Sequence, residues 1–488
     1  MRSLILALVL ALPGVAAFNA TAQWEVQTTG SNSNGGAFDP GVASPGTDER
    51  LTPTTCTADI VIGGTTTQAT ASTCGFSSTT HGPGNFINIT SGSGCTVQRI
   101  EMLSQAAGVA TFDKSLGTAA STCTGIIGGP LQTIDTAFTN MVAGNDVYVK
   151  ATATYSIAGT LTWSLACSSG SQCRVIGYNT TRTDNGRVTL QETTNATSSM
   201  VADSGNYHTY RNFIFDCNST SGTTKAQICF NNSTDGNVSI YNSIIKNFST
   251  RGVLSQTNGL LLYNVYITAG VSGCTAGFQS QGNNYLVYSE VAGNPCVGVQ
   301  TSTVAGLGIF GSLIHDNTGA TSDGIQFTVA GSAAREQFVF NTTVYNNGRD
   351  GLRGTVASAL DQTPIFGSIF AKNTGVGVNS ASTVYTVALT NYNVYIQNTG
   401  GDKTNFPYGS NDFCASGCGG GTITVDPFTN AAAGDFSLNN TAGGGAIIRG
   451  VAFPGTFLNG TTTGFLDPGA AQHQAVAGSS QVAFGLGQ

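Results

Sequence analysis

Charge is the scarcest property of this chain. Only 9% of its 488 residues are Asp, Glu, Lys or Arg, and 18 basic groups face 25 acidic ones for a net charge of -7. An average soluble protein is about 25% charged. With no basic stripe to displace counterions, a nucleic-acid partner is excluded. The four histidines are scattered and no paired C-x-x-C motifs occur, which argues against zinc. Beyond the first dozen residues no apolar run approaches the roughly 20 residues of a membrane span. Disorder does not explain the low charge, because disordered chains have few aromatics and high net charge, and this one has 25 Phe and 15 Tyr.

In place of charge stand 65 glycines and many Ser, Thr and Asn residues. An in-register parallel stack favours such a composition. Equivalent side chains on successive turns lie about 4.8 Å apart, where like charges repel and neutral amides and hydroxyls pass hydrogen bonds along a ladder. Met1-Arg2-Ser3, the apolar run Leu4 to Leu12, Pro13-Gly14 and then small residues have the layout of a secretory signal over residues 1–22, cleaved after Ala17 or Ala22. Twelve cysteines, an even number, agree with an oxidising, extracellular destination. Several form sequential couples: Cys167 with Cys173, Cys217 with Cys229, Cys274 with Cys296 and Cys414 with Cys418. Cys56 with Cys74 and Cys95 with Cys123 are further candidates. Spacing alone leaves the connectivity open.

Residues 130–143 place Leu131, Ile134, Ala137, Phe138, Met141 and Val142 on one helical face, started by Pro130 and stopped by Ala143-Gly144-Asn145-Asp146. Val147-Tyr148-Val149 then alternates at strand period. From Tyr210 a strand-like phrase recurs, opening at Tyr210, Tyr241, Tyr263, Tyr288, Phe310, Phe340, Phe366 and Tyr392, at intervals of 31, 22, 25, 22, 30, 26 and 26 residues. Such periods signal a solenoid. Asn317, Asn347, Asn373 and Asn398 follow at 30, 26 and 25 residues. They are expected to stack as an internal ladder and to take the left-handed conformation of a tight corner.

The stretch Gly129 to Tyr155 resembles the capping helix and first rung of right-handed parallel β-helix proteins, the pectin-lyase-like superfold. The resemblance implies an all-β right-handed parallel β-helix solenoid over residues 129–420, with a capping helix at 130–143. A small N-terminal β domain over 23–128, read from Val, Ile and Thr alternating with Gly and Ser turns, precedes it. Residues 421–488 form a C-terminal cap and tail; Val425 to Gln472 resembles the segment that closes the last rung in such proteins. The opening, Trp24 to Gly30 and Gly35 to Gly41, is similar to β-helix proteins of uncultured bacterial viruses, which implies a particle-surface role; the secretory leader departs from that pattern.

Candidate chemistry concentrates at His315-Asp316, Asp323, Arg335-Glu336 and Arg349-Asp350-Gly351-Leu352-Arg353. Asp316, Asp323 and Asp350 are the candidate catalytic carboxylates, since carboxylates on neighbouring rungs can act as an acid/base or nucleophile pair. His315, Arg349, Asp350 and Arg353 are the candidate ligand contacts, with arginines suited to an acidic sugar. The competing reading makes them solvated corner residues selected for turn geometry. The polygalacturonase Asp-Asp and Gly-His-Gly signature is missing, as are the pectate lyase Asp-His and Arg-x-Pro-x-x-Arg motifs. The expectation is therefore an extracellular or particle-surface protein with a structural or adhesive role, contacting a polysaccharide or cell-surface glycan. The alternative is a polysaccharide lyase or glycoside hydrolase. No cofactor or metal is expected, except calcium if the protein is a lyase; a homo-oligomer is compatible with the sequence. Asn88, Asn218, Asn237, Asn247 and Asn341 head N-x-Ser/Thr sequons.

Overall fold

A computed structural model describes residues 22–77, 79–194, 198–220, 227–233, 236–302, 306–328, 337–356, 359–360, 362–381, 389–451 and 467–470. Residues 1–21 of the expected signal peptide, Arg335-Glu336 and the tail beyond 470 lie outside the described residues. The chain divides into two compact units, one ending at Val265 and the other starting at Tyr266.

In the first unit, Gln23–Val26, Asp146–Lys150, Cys173–Tyr178 and His208–Arg211 run parallel in register. A second parallel series joins Leu161–Trp163, Ser199–Asp203, Ile228–Asn232 and Arg251–Ser255. Strand alternation makes the interior: Val147, Val149, Val175 and Tyr210 are buried while Tyr148 and Ile176 are half-exposed. Strand Gln23–Val26 thus belongs to the parallel stack and not to the small β domain in which the sequence placed it. Residues 54–127 instead form a closed antiparallel barrel of six strands around Ile60, Ile87, Ile89, Ile100, Met102 and Ile127. The helix is shorter than the expected 130–143. Leu131 bridges to Val26 and Met141 is already extended, leaving Ile134–Asn140, capped by Thr133. Its Phe138 ring stacks 4.5 Å from Trp163, which stacks 3.7 Å from His208.

The second unit repeats three parallel series. One contains Leu307–Phe310 and Gln337–Phe340, the next Leu313–His315 and Thr343–Tyr345, the third Ile325–Phe327 and Leu352–Gly354. The expected ladder is present and begins one rung earlier. Asn294, Asn317, Asn347 and Asn373 each donate Nδ2 to the Oδ1 of the next, at 3.0, 3.0, 2.9 and 2.9 Å, ending at Asn398. Each Oδ1 also accepts the preceding ladder residue's backbone N–H, for example Asn347 to Asn373 at 3.1 Å. The left-handed residue is not the ladder asparagine. It is the one before it: Gly293, Asp316, Asn346, Lys372 and Gln397 all have positive φ. That residue turns the chain, so the asparagine can point inward.

A glycine column answers the ladder. A Cβ on Gly298, Gly324 or Gly351 would come 2.8 Å from the Nδ2 of Asn317, Asn347 or Asn373, and 2.6 to 2.7 Å from the carbonyl oxygen of the next column glycine. The repeating phrase also needs a correction of register. Val287, not Tyr288, pairs with Phe310, and Asn391, not Tyr392, pairs with Phe366. The corner is marked by positive φ at Tyr288, Gly311, Asn341, Gly367 and Tyr392. Phe310 and Phe366 therefore face outward, half-exposed, so these aromatics of the repeating phrase are not part of the interior.

The described part of the closing segment lies against the outer face of the stack. Phe428 and Phe436 pack on the outer face of the strands holding His315, Tyr345, Ile369 and Ile396, because that outer face is apolar. The connectivity that spacing left open is the sequential one, and no cysteine is free. In the barrel Cys56 is bonded to Cys74 and Cys95 to Cys123. In the parallel stack Cys167 is bonded to Cys173, Cys217 to Cys229 and Cys274 to Cys296, and near its end Cys414 to Cys418.

Candidate functional site

The expected residues separate into two groups on different strand series. Asp323 and Asp350 occupy the same corner on successive rungs, each just before its column glycine. Asp323 is fully buried. It accepts Arg349 Nε at 2.7 Å, Arg349 Nη2, Gln326 Nε2 at 3.0 Å and the backbone N–H of Asp350 at 3.2 Å. Asp350, also buried, accepts the Val376 N–H and Asn379 Nδ2, both at 2.8 Å. Burial pushes the Asp323 carboxyl above its ordinary value despite the Arg349 guanidinium that favours its charge. Each aspartate thus satisfies a corner N–H of the following rung, and Asp323 and Arg349 form a bidentate pair.

Arg353 faces outward in the neighbouring column, whose members are Gln279, Gln300, Gln326, Arg353 and Asn379 in register. Gln279 donates to Gln300 at 2.6 Å, and Gln300 donates in turn to Gln326. Gln326 donates onward to Asp323, so the amides and the carboxylate form one chain. Among the described residues Arg353 has no hydrogen-bond or ion-pair partner. The glutamines and Asn379 were missed from sequence. Their signal was available, two residues after each column glycine, at Gly277, Gly298, Gly324 and Gly377.

His315 and Asp316 lie on the other series. His315 Nδ1 bonds Asp316 Oδ2 at 2.7 Å and its Nε2 bonds Glu290 Oε1 at 3.0 Å, under the Phe436 ring at 4.8 Å. Burial lowers the imidazole's proton affinity, but the two carboxylates outweigh it and hold the pKa above the ordinary 6.5. Asp316 is held low, its burial outweighed by His315 and by a side-chain bond from Asn346. Glu290 was missed; strand alternation puts it on the same outward side as His315.

A denser ion network than any in 315–353 lies in the first unit. Arg182 grips buried Glu25 at 2.7 Å, Arg174 grips Asp146 at 2.6 Å, and Arg50 pairs with Asp48. These pairs clamp strand Gln23–Val26 and the 48–50 loop to the parallel sheet. A cleft of about 520 Å³ in the same unit is lined by Thr28, Thr133, Asp135, Tyr155 and Thr160 and contains none of the expected residues.

No family model and no curated protein matches the chain. Among solved structures, pectate lyase Pel9A aligns with 14% identity over 71% of this chain and 92% of its own, at a TM-score of 0.51. The fold is a parallel β-helix of the pectate lyase kind. The Azotobacter vinelandii mannuronan C-5 epimerase AlgE4 A-module (15% identity, 58% of this chain and 91% of its own, TM-score 0.35) and a GH87 alpha-1,3-glucanase catalytic domain (10%, 67% and 88%, 0.31) overlap too loosely to carry an argument.

The calcium that the resemblance attaches to lyases does not fit this β-helix at Asp323 and Asp350. A guanidinium already lies on one carboxylate and N–H donors fill the other. Among the described residues no group of three or more His, Cys, Asp or Glu side chains is placed to hold a metal ion, and no helix is long and apolar enough to cross a membrane.

Proposed function

We propose that this protein is an extracellular, non-catalytic β-helix that binds a polysaccharide or surface glycan, in a structural or adhesive role. The observation that carries this is the outward column Gln300, Gln326, Arg353 and Asn379, with the Arg353 guanidinium free among the described residues. Side-chain amides and a guanidinium repeated at rung spacing suit a row of sugar hydroxyls and carboxylates. Asp323 and Asp350 already accept internal donors, which favours binding over catalysis at this corner. Six disulfides support an oxidising, extracellular setting. Pectate lyase Pel9A, whose fold this chain shares, acts on a polysaccharide by its name, which supports a glycan ligand without fixing one. The helix Ile134–Asn140, with Phe138 on Trp163, is proposed to close the interior beside the first turn.

The test is affinity electrophoresis of the full chain in a panel of acidic and neutral polysaccharides. Arg353→Gln with Gln326→Leu should weaken retardation by about tenfold, the loss of one charge-assisted contact. Retardation unchanged by that pair of substitutions removes the reading. Catalysis stays as the second reading because the two aspartates stand on successive rungs. Product release from any polymer, abolished by Asp350→Asn in a folded protein, would establish it.

A further inference from the structure

The outward column of the first unit holds a second arrangement. Arg211 stands in register beside Ile176 on one side and Tyr241 on the other. Their inward neighbours Val175, Tyr210 and Ile240 are buried, so alternation turns Arg211 and Tyr241 outward. The Tyr241 and Tyr263 rings lie 5.7 Å apart with 46° between their planes. Both rings are half-exposed. They form one tilted aromatic ledge at rung spacing.

Two guanidiniums flank it. Arg187 donates Nε to the Asn242 carbonyl at 3.1 Å and Nη2 to Asn242 Oδ1 at 2.8 Å. Asn242 is the left-handed corner residue next to Tyr241, so Arg187 is anchored beside the ledge. Arg211 donates Nη2 to Asn185 Oδ1 at 2.9 Å. Among the described residues neither arginine has a carboxylate partner, in a chain with 25 carboxylates to offer. Asp184, the carboxylate nearest to Arg187 in sequence, is turned into a backbone turn, accepting the N–H groups of Asn179, Thr181 and Gly186 at 2.8 to 2.9 Å. A guanidinium has five N–H donors. Arg187 uses two and Arg211 one in these bonds, with acceptors that fix direction without neutralising charge.

We infer that Tyr241, Tyr263, Arg187 and Arg211 form a binding site for a carboxylate-bearing sugar polymer. Tyrosine faces take the apolar face of a pyranose ring, and the guanidiniums take uronate carboxylates in bidentate fashion. A neutral glycan would leave two oriented cations unmatched. A short inorganic anion would leave the ledge unused. The site lies in a different unit from the Arg353 column, and it rests on the glycan reading for its ligand class only.

The experiment is titration calorimetry of the full chain with polygalacturonate and with its carboxyl-reduced, neutral counterpart. Wild-type protein should bind the polyuronate at least about tenfold more tightly. The double variant Arg187→Gln with Arg211→Gln should lose that preference, a change of about tenfold or more expected for charge-assisted contacts. Tyr263→Leu keeps the packing but removes the ring face, and should weaken binding to both polymers. Each variant is accepted only with an unchanged circular dichroism melt. Where Arg187→Gln destabilises the corner, Arg211→Gln alone carries the test. Equal affinity for both polymers, an unaltered preference in the arginine variant, or no binding of polyuronate at all overturns the inference. Loss of binding in Arg353→Gln with the arginine variant unaffected also overturns it, while leaving the proposed function standing.

Discussion

Removing one asparagine from the middle of the ladder tests the account of what holds the second unit together. Asn347 is buried; its Oδ1 accepts Asn317 Nδ2 at 3.0 Å and the Asn317 N–H at 3.3 Å, and its Nδ2 donates to Asn373 Oδ1 at 2.9 Å and the Ile314 carbonyl at 3.2 Å. Asn347→Ala leaves two buried donors of Asn317 without acceptors. The other Asn317 Nδ2 hydrogen keeps the Val291 carbonyl at 3.1 Å, and Asn373 Oδ1 keeps the N–H of residue 347 at 3.1 Å. At about 1–3 kcal/mol for each stranded donor the loss is on the order of 4 kcal/mol. Asn347→Asp retains the acceptor and places an oxygen against two others. That carboxyl should be driven to its protonated, donating form, its pKa raised by burial. Its stability should then be intact below the ordinary carboxylate range and lost as pH rises through the raised value. Hydrogen exchange followed by mass spectrometry on the peptide containing Asn317 reads both effects. Unchanged protection of the Asn317 amide in Asn347→Ala would refute the reasoning.

Gly351→Ala should destabilise by several kcal/mol, since its Cβ would meet the Gly377 oxygen at 2.6 Å and Asn373 Nδ2 at 2.8 Å; denaturant melts against Gly170→Ala, where an added Cβ meets nothing within 4 Å, would show whether the ladder contact matters. The closing segment should loosen with alkali. His315 has a raised pKa, so its contribution is complete below 6.5 and is lost as pH rises through the folded value, while Asp316, held low, contributes above 3.8 and loses its part as pH falls through its depressed folded value. Limited proteolysis within 425–451 should therefore accelerate above neutral pH, and His315→Gln should flatten that rise. In a glycosylating host Asn237, exposed, should be modified in preference to Asn88, Asn218, Asn247 and Asn341, whose Nδ2 groups donate to Ser33, Glu192, Asp216 and Asp467; glycopeptide mapping checks this.

The solenoid was legible because its repeat is written in side chains that must meet their copies. Asn317, Asn347, Asn373 and Asn398 announce a ladder by interval alone. Couples such as Cys217 with Cys229 could be read as local bridges because each pair lies close in sequence. Register was less legible. Aromatics at Tyr288 and Tyr392 stand at the left-handed corner and not on the strand, and only backbone pairing separates those positions. Strand Gln23–Val26 was misplaced because parallel pairing across more than a hundred residues leaves no local trace. The candidate site was half visible. Charged residues catch the eye in a chain with few of them, whereas Gln300, Gln326 and Asn379 are indistinguishable from ladder residues until their outward direction is known.

Scarce charge and outward guanidiniums have one physical cause. In a stack a carboxylate meets the next rung at about 4.8 Å, so it is tolerated where that rung offers donors. Asp323 faces Arg349 and the Asp350 N–H; Asp350 faces the Val376 N–H and Asn379; Asp203, inside the first unit, accepts His208 at 2.9 Å and Tyr210 at 3.0 Å. These carboxylates are committed to the fold. Arg353, Arg187 and Arg211 have no carboxylate partner among the described residues, so a chain of net charge -7 presents local cations at both proposed surfaces. Stability and binding should then separate by mutation. Asp323→Asn removes the charge facing Arg349 and one acceptor's strength at a buried corner, for which a loss of about 3–5 kcal/mol is expected. Polyuronate affinity of the protein that remains folded should stay within about twofold, because Arg349 would be freed and no ligand contact removed. Affinity should also fall with added salt, as expected where solvent-accessible cations meet a charged polymer. A salt-independent affinity, or an Asp323→Asn variant that is fully stable yet unable to bind, would reverse the assignment and make the aspartate the ligand contact.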